Sequence, residues 1–315
     1  MDEAIRVCGL SKSFGPVRAL SDVNFGVPAG SLCGLVGPNG AGKTTLLSVA
    51  AGFLRPNEGS VTMLGLDTAR DLPRLRGRFS MLVQDAALPP GRKILNTLTY
   101  LARLAGTPKK EARQDAERVL SLCGLSEHAS KRFRQLSHGM TRRLHVAQAF
   151  LGSPDLIFLD EPTSGVDPEN AAQLRRIISE LAGRSTVVVS SHNLAELEET
   201  CSDLVILDKG TVAYCGSMED FLSGGTLLRF QFHTAPGTEA LAALDALAGV
   251  AECVPRGPME LHVTLEFEDA PARHVVLRSI LECCLAHDLV PRSMAEGARL
   301  EERFLERIGS GLDPA

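Results

Sequence analysis

The chain reads Gly37-Pro38-Asn39-Gly40-Ala41-Gly42-Lys43-Thr44-Thr45 near its start, and this turn constrains the architecture more strongly than any other segment. The apolar run 32–36 before it has the composition of a buried strand, and a helical pattern covers about residues 42–51. A strand, a glycine-rich turn and a helix in this order form the P-loop pattern. The sequence therefore predicts a phosphate-binding loop between a strand and a helix.

Each residue type in this turn has a chemical reason to be there. Backbone N–H groups can point at phosphate oxygens only where no Cβ blocks the approach, which explains the glycines, and the helix N-terminus adds partial positive charge. We expect the Lys43 ammonium to lie between β- and γ-phosphates and the Thr44 hydroxyl to bind Mg²⁺. The alternative, a fortuitous glycine-rich turn, does not account for the flanking strand and helix.

A second motif is an apolar strand, 156–159, that ends in Asp160 and Glu161. Open α/β sheets bind ligands at the carboxyl ends of their strands, so both acids are placed at such a site. Adjacent positions point to opposite sides of a strand. We therefore assign Asp160 to Mg²⁺ and Glu161 to the attacking water as its general base. The alternative is that these acids only cap a turn or helix at Pro162.

The rest of the N-terminal two thirds alternates short apolar runs with helical patterns, which is typical of an α/β protein with a mainly parallel sheet. Three helical patterns follow one another without a strand and form a predicted helical insertion. A tight hairpin turn is predicted at Asp208-Lys209-Gly210. Further strands are predicted at 60–64, 79–83, 186–190 and 204–207, and the inserted helices at 94–105, 109–123 and 139–151.

Composition excludes several classes of protein. The 315 residues, 44% of them hydrophobic, suffice for one large domain or two, and a net charge of -5 gives no basic field for nucleic acid. No apolar run approaches the 18 to 20 residues or so that a membrane helix needs. The N-terminus lacks a secretory signal, so we expect a cytoplasmic protein. The eight cysteines show no Cys-x-x-Cys spacing, so we expect free thiols rather than a zinc site.

A domain boundary is predicted at Ser223-Gly224-Gly225, because a glycine pair after a short helix forms a flexible joint. We therefore divide the chain into domains 1–224 and 225–315. The C-terminal domain has the predicted element order βαββαβ of a small α+β, ferredoxin-like fold. A last helix, 300–308, carries Leu300, Phe304, Leu305 and Ile308 on one face, which we expect to pack on the sheet.

These motifs, in their order along the chain, resemble the ATP-binding cassette of ABC transporters, and the resemblance covers about residues 4–222. It implies a P-loop NTPase core with a mainly parallel sheet, an antiparallel N-terminal β part and a helical subdomain at about 88–152. It also implies that two cassettes sandwich two ATP molecules head to tail. Leu136-Ser137-His138-Gly139-Met140 resembles the family's signature sequence, with His138 and Met140 in place of the usual Gly and Gln.

Several roles follow from the resemblance alone. Phe14 matches the aromatic residue that stacks on adenine, with a core phenylalanine as the alternative. Gln84 matches the glutamine that contacts Mg²⁺ and the reacting water, with a plain strand-end glutamine as the alternative. The segment 85–98 corresponds to the surface that meets the permease, and we expect Leu88, Pro89 and Pro90 to be exposed there.

The signature sequence implies a role toward the partner cassette. Ser137, Gly139 and the start of the following helix match groups that grip the γ-phosphate of the ATP held by the partner. His138 either adds a pH-sensitive contact or is a solvent-facing substitution. Asp167 matches a loop residue that crosses the dimer, or it caps a helix at Pro168. His192 matches the histidine that senses the γ-phosphate.

The sequence thus predicts an ATPase subunit of an ABC transporter that works at the cytoplasmic face of the membrane, driving export through a separate permease. Arg142 and Arg143 are typical of such exporter-type cassettes. The expected partners are the permease and a second copy of the chain, and no nucleic acid. The alternative is a soluble ABC-type ATPase that acts on ribosomes or nucleic acid. The residues predicted to bind ATP or Mg²⁺ or to act in catalysis are Phe14, Gly37, Pro38, Asn39, Gly40, Ala41, Gly42, Lys43, Thr44, Thr45, Gln84, Ser137, Gly139, Asp160, Glu161, Asp167 and His192.

Overall fold

The computed structural model describes residues 2–84, 88–180, 182–223, 227–266, 270–296 and 300–309. The chain divides into two compact units, Met1–Met218 and Glu219–Ala315. Each unit has a hydrophobic core of its own, and the two cores share no residue. Gly224 and Gly225 of the predicted joint lie outside the described residues. Within the described ranges, no helix combines the length and apolarity needed to cross a membrane.

The first unit contains ten strands and seven complete α-helices within its described residues, and α8 (Met218–Ser223) begins at its end. The strands are β1 (Glu3–Phe14), β2 (Val17–Pro28), β3 (Leu32–Val36), β4 (Glu58–Met63), β5 (Leu66–Asp67), β6 (Phe79–Leu82), β7 (Leu156–Asp160), β8 (Thr186–Ser190), β9 (Asp203–Asp208) and β10 (Thr211–Ser217). The helices are α1 (Lys43–Ala50), α2 (Leu72–Leu75), α3 (Ile94–Ala105), α4 (Ala112–Leu122), α5 (His138–Ala149), α6 (Pro168–Ser179) and α7 (Leu194–Thr200).

The central sheet has the strand order β10-β9-β3-β8-β7-β6. Its strands are parallel except β10, which pairs antiparallel with β9. Every residue of β3, β7 and β8 is buried, as expected for strands covered on both faces. The carboxyl ends of these strands meet at one edge, where Asp160 of β7 lies opposite Ser190 of β8. That edge places the P-loop, the paired acids and His192 together.

The predicted α/β fold class is confirmed, including its antiparallel N-terminal part. Strands β1, β2, β4 and β5 form a separate sheet in the order β2-β1-β4-β5. Apolar side chains from β1 and β2 join those of α1 and the central sheet in one core. The hairpin between β9 and β10 also turns where expected, because Lys209 and Gly210 both adopt positive φ, 45° and 80°.

The helical insertion lies between β6 and β7, and three α-helices supply its main elements. Helix α3 has the predicted bounds, whereas α4 begins at Ala112 instead of residue 109. Two short 3₁₀ turns, Ser126–His128 and Phe133–Gln135, precede α5. Leu88, predicted to be exposed, is 7% exposed and therefore buried, while Pro89 and Pro90 are exposed. An apolar side chain at a loop gains more by packing inward than by facing water.

The second unit is a four-stranded antiparallel sheet with the order β12-β13-β11-β14. Its elements are β11 (Leu227–Phe232), α9 (Thr238–Asp245), β12 (Val250–Gly257), β13 (Glu260–Leu265), α10 (Ala270–Ala286), β14 (Pro291–Glu296) and α11 (Leu300–Gly309). This order is the one a βαββαβ chain gives in a ferredoxin-like fold. The expected apolar face of α11 is only partly correct, because Leu300 is fully buried but Leu305 is 61% exposed. The side chain of Ile308 is not among those that the structure describes.

Candidate nucleotide site

The P-loop follows β3 directly, and α1 begins at Lys43. Gly42 has φ of 104°, and a Cβ there would lie 2.6 Å from the Ala19 carbonyl oxygen. A Cβ on Gly37 would collide with the Leu207 carbonyl oxygen, whereas one on Gly40 meets nothing, although its φ of 84° still favours glycine. Gly37 and Gly42 are therefore required by close backbone packing as well as by the approach of a phosphate.

Lys43 is held by the loop it follows. Its Nζ donates to the carbonyl oxygens of Gly37 at 2.6 Å and Pro38 at 3.3 Å. Burial lowers the pKa of Lys43, because a desolvated ammonium loses its water, and the nearby carboxylates of Glu161 and Asp160 partly oppose this shift. The loop thus holds a poorly solvated cation beside the site expected for the phosphates.

Asp160 joins the P-loop helix to the sheet. Its Oδ2 accepts from the Thr44 hydroxyl at 3.0 Å, and its Oδ1 accepts from the Ser190 hydroxyl at 2.6 Å. Asp160 is 1% exposed, so each of these bonds satisfies an oxygen that water does not reach. The structure therefore brings two of the three predicted metal ligands, Thr44 and Asp160, within hydrogen-bond distance of each other.

The donor set fits Mg²⁺. The ion prefers oxygen ligands and is usually bound by one or two carboxylates together with substrate phosphates and water. Thr44 and Asp160 supply a hydroxyl and a carboxylate, and Gln84 supplies an amide at the same cavity. In the described ranges, no cluster of three or more His, Cys, Asp or Glu side chains could hold a metal ion. Such a site would therefore need the oxygens of a bound phosphate.

Glu161 follows the carboxyl end of β7 and has an unusual backbone conformation. Its φ is 50°, in the left-handed region, and its N–H donates to the Ser190 hydroxyl at 3.0 Å. Its Oε2 lies 2.7 Å from Nδ1 of His192. The Glu161 side chain is 11% exposed and that of His192 is 63% exposed. The predicted base and the predicted γ-phosphate sensor therefore form one hydrogen-bonded pair.

A cavity of about 490 Å³ opens beside these groups, a size that small-molecule sites commonly have. It brings together eleven predicted residues, and it adds Ala19 and Ser164, which the sequence did not predict. Gly37 and Pro38 do not line it. The lining residues are Ala19, Asn39, Gly40, Ala41, Gly42, Lys43, Thr44, Thr45, Gln84, Asp160, Glu161, Ser164 and His192.

Phe14 lies at the end of β1 and is not among the residues that line the cavity. Its side chain is 48% exposed, so the alternative of a core phenylalanine does not describe it. The Lys12 ammonium lies 5.2 Å from the centre of its ring. The ring therefore presents an accessible aromatic surface with a cation beside it, and its role toward adenine stays a prediction.

The signature residues lie at the start of α5 and do not line the cavity of their own chain. Ser137 is the N-cap, and its hydroxyl accepts from the Met140 N–H at 3.3 Å. His138 is exposed, and its Nε2 lies 2.9 Å from the Gly165 carbonyl oxygen, so this nitrogen must carry the proton. A Cβ on Gly139 would lie 2.6 Å from the Asn170 amide. The signature is thus packed against Gly165 in the loop before α6 and against Asn170 in the first turn of α6.

Asp167 caps α6, as one of the two interpretations expected. Its carboxylate accepts from the Asn170 backbone N–H at 3.1 Å and from the Asn170 side chain at 2.7 Å. These hydrogen bonds lower the pKa of Asp167, because they favour the charged carboxylate. Asn170 therefore links the cap to the glycine of the signature, and a role of Asp167 across a dimer stays a prediction.

Sequence reasoning missed two residues that organise this site. Ser190 contacts both acids, and the only sequence signal is a hydroxyl at the carboxyl end of a neighbouring strand. Arg142 donates to the carbonyl oxygens of Pro162 at 2.8 Å and Gln84 at 3.1 Å, and also to that of Glu161. Its position within a helix gives no signal of these contacts. The fold and the site together define a P-loop nucleoside triphosphatase.

Comparison with known proteins narrows this class. Residues 20–164 match the family model described as ABC transporter. The daunorubicin/doxorubicin resistance ATP-binding protein of Streptomyces peucetius is 32% identical over 315 residues, covering 98% of this chain and 94% of that protein. The linearmycin resistance ATP-binding protein of Bacillus subtilis is 28% identical over 309 residues, 96% and 97% of the two chains. A solved ATP-binding subunit of an ABC transporter, 28% identical, superposes with a TM-score of 0.63 over 69% of this chain and 91% of that one.

The chain therefore belongs to the ABC transporter family and is an ATP-binding subunit of the exporter type. It is an ATPase. The similarity to the Streptomyces protein runs through both units, because it covers 98% of the chain. The resemblance drawn from the P-loop, the paired acids and the signature sequence is confirmed at the level of the family.

Proposed function

We propose that two copies of this chain close over two Mg-ATP molecules and that each copy completes the site of the other. One observation carries this proposal: Ser137 and Gly139 do not line the cavity of their own chain, although that cavity holds the whole hydrolytic set. Ser137 is an exposed residue at the N-terminus of a 12-residue helix, where an anion is favoured. The groups suit a triphosphate presented by a partner, and the proposed partner is a second copy.

Within each site, Glu161 acts as the general base. It takes a proton from the water that attacks the γ-phosphorus, while the bond from phosphorus to the bridging oxygen of ADP breaks, giving ADP and phosphate. Lys43 stabilises the charge on the phosphates, and His192 orients the Glu161 carboxylate through the 2.7 Å contact. Thr44, Asp160 and Gln84 would hold Mg²⁺, which when bound neutralises phosphate charge.

We further propose that the dimer binds a separate membrane permease at the cytoplasmic face and drives export through it. Two relatives are named for resistance to daunorubicin or doxorubicin and to linearmycin, which supports a toxic small molecule as the exported compound. Pro89 and Pro90 offer an exposed surface for the permease. The relatives give no support to the alternative of an ATPase acting on ribosomes or nucleic acid.

The C-terminal unit has a proposed accessory role in this assembly. Its ferredoxin-like sheet carries none of the residues of the nucleotide cavity. We propose that it stabilises the dimer or regulates hydrolysis. If removal of residues 226–315 leaves dimerisation, permease binding and the ATPase rate unchanged, this role is refuted.

The dimer is tested in chains that carry Glu161→Gln, so that bound ATP persists. We expect Mg-ATP to convert this protein from monomer to dimer in analytical ultracentrifugation. Adding Ser137→Asp retains an N-cap residue but places a negative charge against the partner's triphosphate, so the dimer should be lost while the monomer still binds ATP. Ser137→Thr, which keeps the hydroxyl, serves as the matched control. A dimer that persists in Ser137→Asp would contradict the proposed arrangement.

The permease is tested by expressing the chain with and without the membrane protein encoded in the neighbouring reading frame. We expect the chain to sediment with membranes only when that protein is present, and its ATPase rate to respond to the exported compound. Sedimentation that is independent of the membrane protein would count against a permease partner. This outcome would leave the nucleotide chemistry unaffected.

A further inference from the structure

Arg142 makes an unusual set of contacts for a residue in the second turn of α5. It is half-buried, and its guanidinium donates to three backbone carbonyl oxygens. Nε donates to Pro162 at 2.8 Å, Nη1 to Gln84 at 3.1 Å, and Nη2 to Glu161. Two of these carbonyls belong to the segment just after β7, and the third follows β6. One side chain of the helical insertion therefore holds both segments at the carboxyl edge of the sheet.

The backbone of Glu161 needs such support. A residue with a Cβ seldom adopts a φ of 50°, and a backbone in this region persists only where its surroundings hold it there. Its N–H donates to the Ser190 hydroxyl, and its carbonyl oxygen accepts from Arg142 and from the Ser164 N–H at 3.2 Å, so both backbone polar groups of Glu161 have fixed partners. Arg142 is the one of these partners that lies outside the segment and also contacts Gln84. The direction of the Glu161 carboxylate depends on this backbone, because the side chain projects from it.

The residues that follow Glu161 in the chain are held by a separate network of side chains. The Thr163 hydroxyl donates to Oε2 of Glu196 at 2.8 Å, and Glu196 is paired with Arg175 at 3.0 Å. This network links the segment to α7 and α6 but involves neither polar backbone group of Glu161. Arg142 is suited to hold Glu161 and Gln84 together, because a planar guanidinium fixes several acceptors in one geometry and its charge strengthens each hydrogen bond.

We propose that Arg142 is a positioning residue for hydrolysis, one that sets the orientation of the base Glu161 and fixes its distance from Gln84. The inference rests on the proposed assignment of Glu161 as the base. Arg142 is not among the residues that line the cavity, so we expect it to make no contact with the nucleotide. Its loss should therefore lower the rate of the chemical step while leaving the affinity for ATP unchanged.

Arg142→Met tests this in the full-length protein, because it keeps an unbranched side chain of similar length but no donor. We expect kcat to fall by about tenfold or more, since small displacements of a catalytic group have effects of this order, while KM and the Kd for Mg-ATP stay within about twofold of wild type. The matched control is Arg118→Met. Arg118 donates to the Phe150 carbonyl oxygen at 2.7 Å, just after the far end of α5, and is also paired with Asp115. The control should retain wild-type kcat.

Each other result has a defined meaning. A kcat within twofold of wild type in Arg142→Met overturns the inference. So does an equal fall in both arginine variants, or a parallel loss of ATP affinity, because either would show a merely structural role. If Arg142→Met does not fold, Arg142→Gln takes its place, and a wild-type kcat there has the same meaning. Wild-type protein that binds ATP but never hydrolyses it would instead refute the proposed function.

Discussion

Ser190 shows how much one buried hydroxyl contributes to this site. It is fully buried, donates to Asp160 at 2.6 Å and accepts from the backbone N–H of Glu161 at 3.0 Å. The proposed metal ligand and the proposed base are adjacent in the chain, and one side chain from the neighbouring strand holds both. At the scale of single residues, the site therefore depends on a group that carries out no chemistry itself.

Ser190→Ala should weaken both the fold and the reaction. The variant leaves an oxygen of Asp160 and the N–H of Glu161 without their partner in a site that water does not reach. We expect the free energy of unfolding to fall by about 1–3 kcal/mol and kcat to fall with it. Chemical denaturation and phosphate release measure the two effects. Ser190→Thr, which keeps the hydroxyl, should recover part of both losses, and a fully stable Ser190→Ala would contradict the assigned role.

Glu161→Gln should separate binding from hydrolysis. The amide can still pair with His192 but cannot take a proton from water, so we expect kcat to fall by about a hundredfold or more. The Kd for Mg-ATP should remain within about threefold of wild type. Glu169→Gln, in the exposed first turn of α6, is the control and should retain wild-type turnover. Wild-type turnover in Glu161→Gln would reject the assigned base.

At the scale of elements, α5 concentrates several functions in 12 residues. Its N-terminus carries the signature, its second turn carries Arg142, and the same helix buries His145. His145 is 7% exposed, stacks on Phe133 with ring centres 5.6 Å apart, and has no hydrogen-bond partner for either ring nitrogen among the described residues. A helix that serves the nucleotide site thus contains a polar side chain that costs stability.

The pH dependence of stability should reflect His145. Burial, and then the charge of Arg142, lower its pKa below the ordinary 6.5, so the unfolded chain binds a proton more readily than the folded one. The buried ring therefore costs least above about pH 6.5, where it is neutral in both states, and the stability of the fold declines as the pH falls below 6.5 and through the lowered pKa. His145→Leu should lose less stability than wild type between about pH 8 and 5.5 in calorimetry. His128→Leu is the control, and an unchanged pH dependence in His145→Leu would refute the prediction.

At the scale of the whole molecule, two units with separate cores share one chain. The nucleotide cavity and its supporting residues lie within the first unit. The second unit has its own sheet and its own buried phenylalanines, Phe230 and Phe232. Residues that share one hydrophobic core unfold together. Because the two units have separate cores, we expect them to differ in their free energies of unfolding.

Matched core substitutions should reveal this independence. Phe230→Ala and Phe158→Ala each remove a phenylalanine no more than 1% exposed, one from each core. We expect a loss of about 3–5 kcal/mol in the unit that carries the change. Phe230→Ala should leave the Kd for Mg-ATP unchanged, whereas Phe158→Ala should weaken binding. A single calorimetric transition that moves equally in both variants would show that the chain unfolds as one unit.

The sequence by itself determined the P-loop, the acid pair after β7, the succession of strands and helices along the chain and the βαββαβ pattern of the second unit. Each of these depends on neighbours a few residues apart, where backbone geometry fixes what side chains can do. Tertiary structure decided the rest: that Ser190 and Arg142 hold the base, that Leu88 is buried, and that Leu305 is not. The contacts of Ser190 and Arg142 join residues 19 to 58 positions apart, so only packing of the complete fold could bring them together.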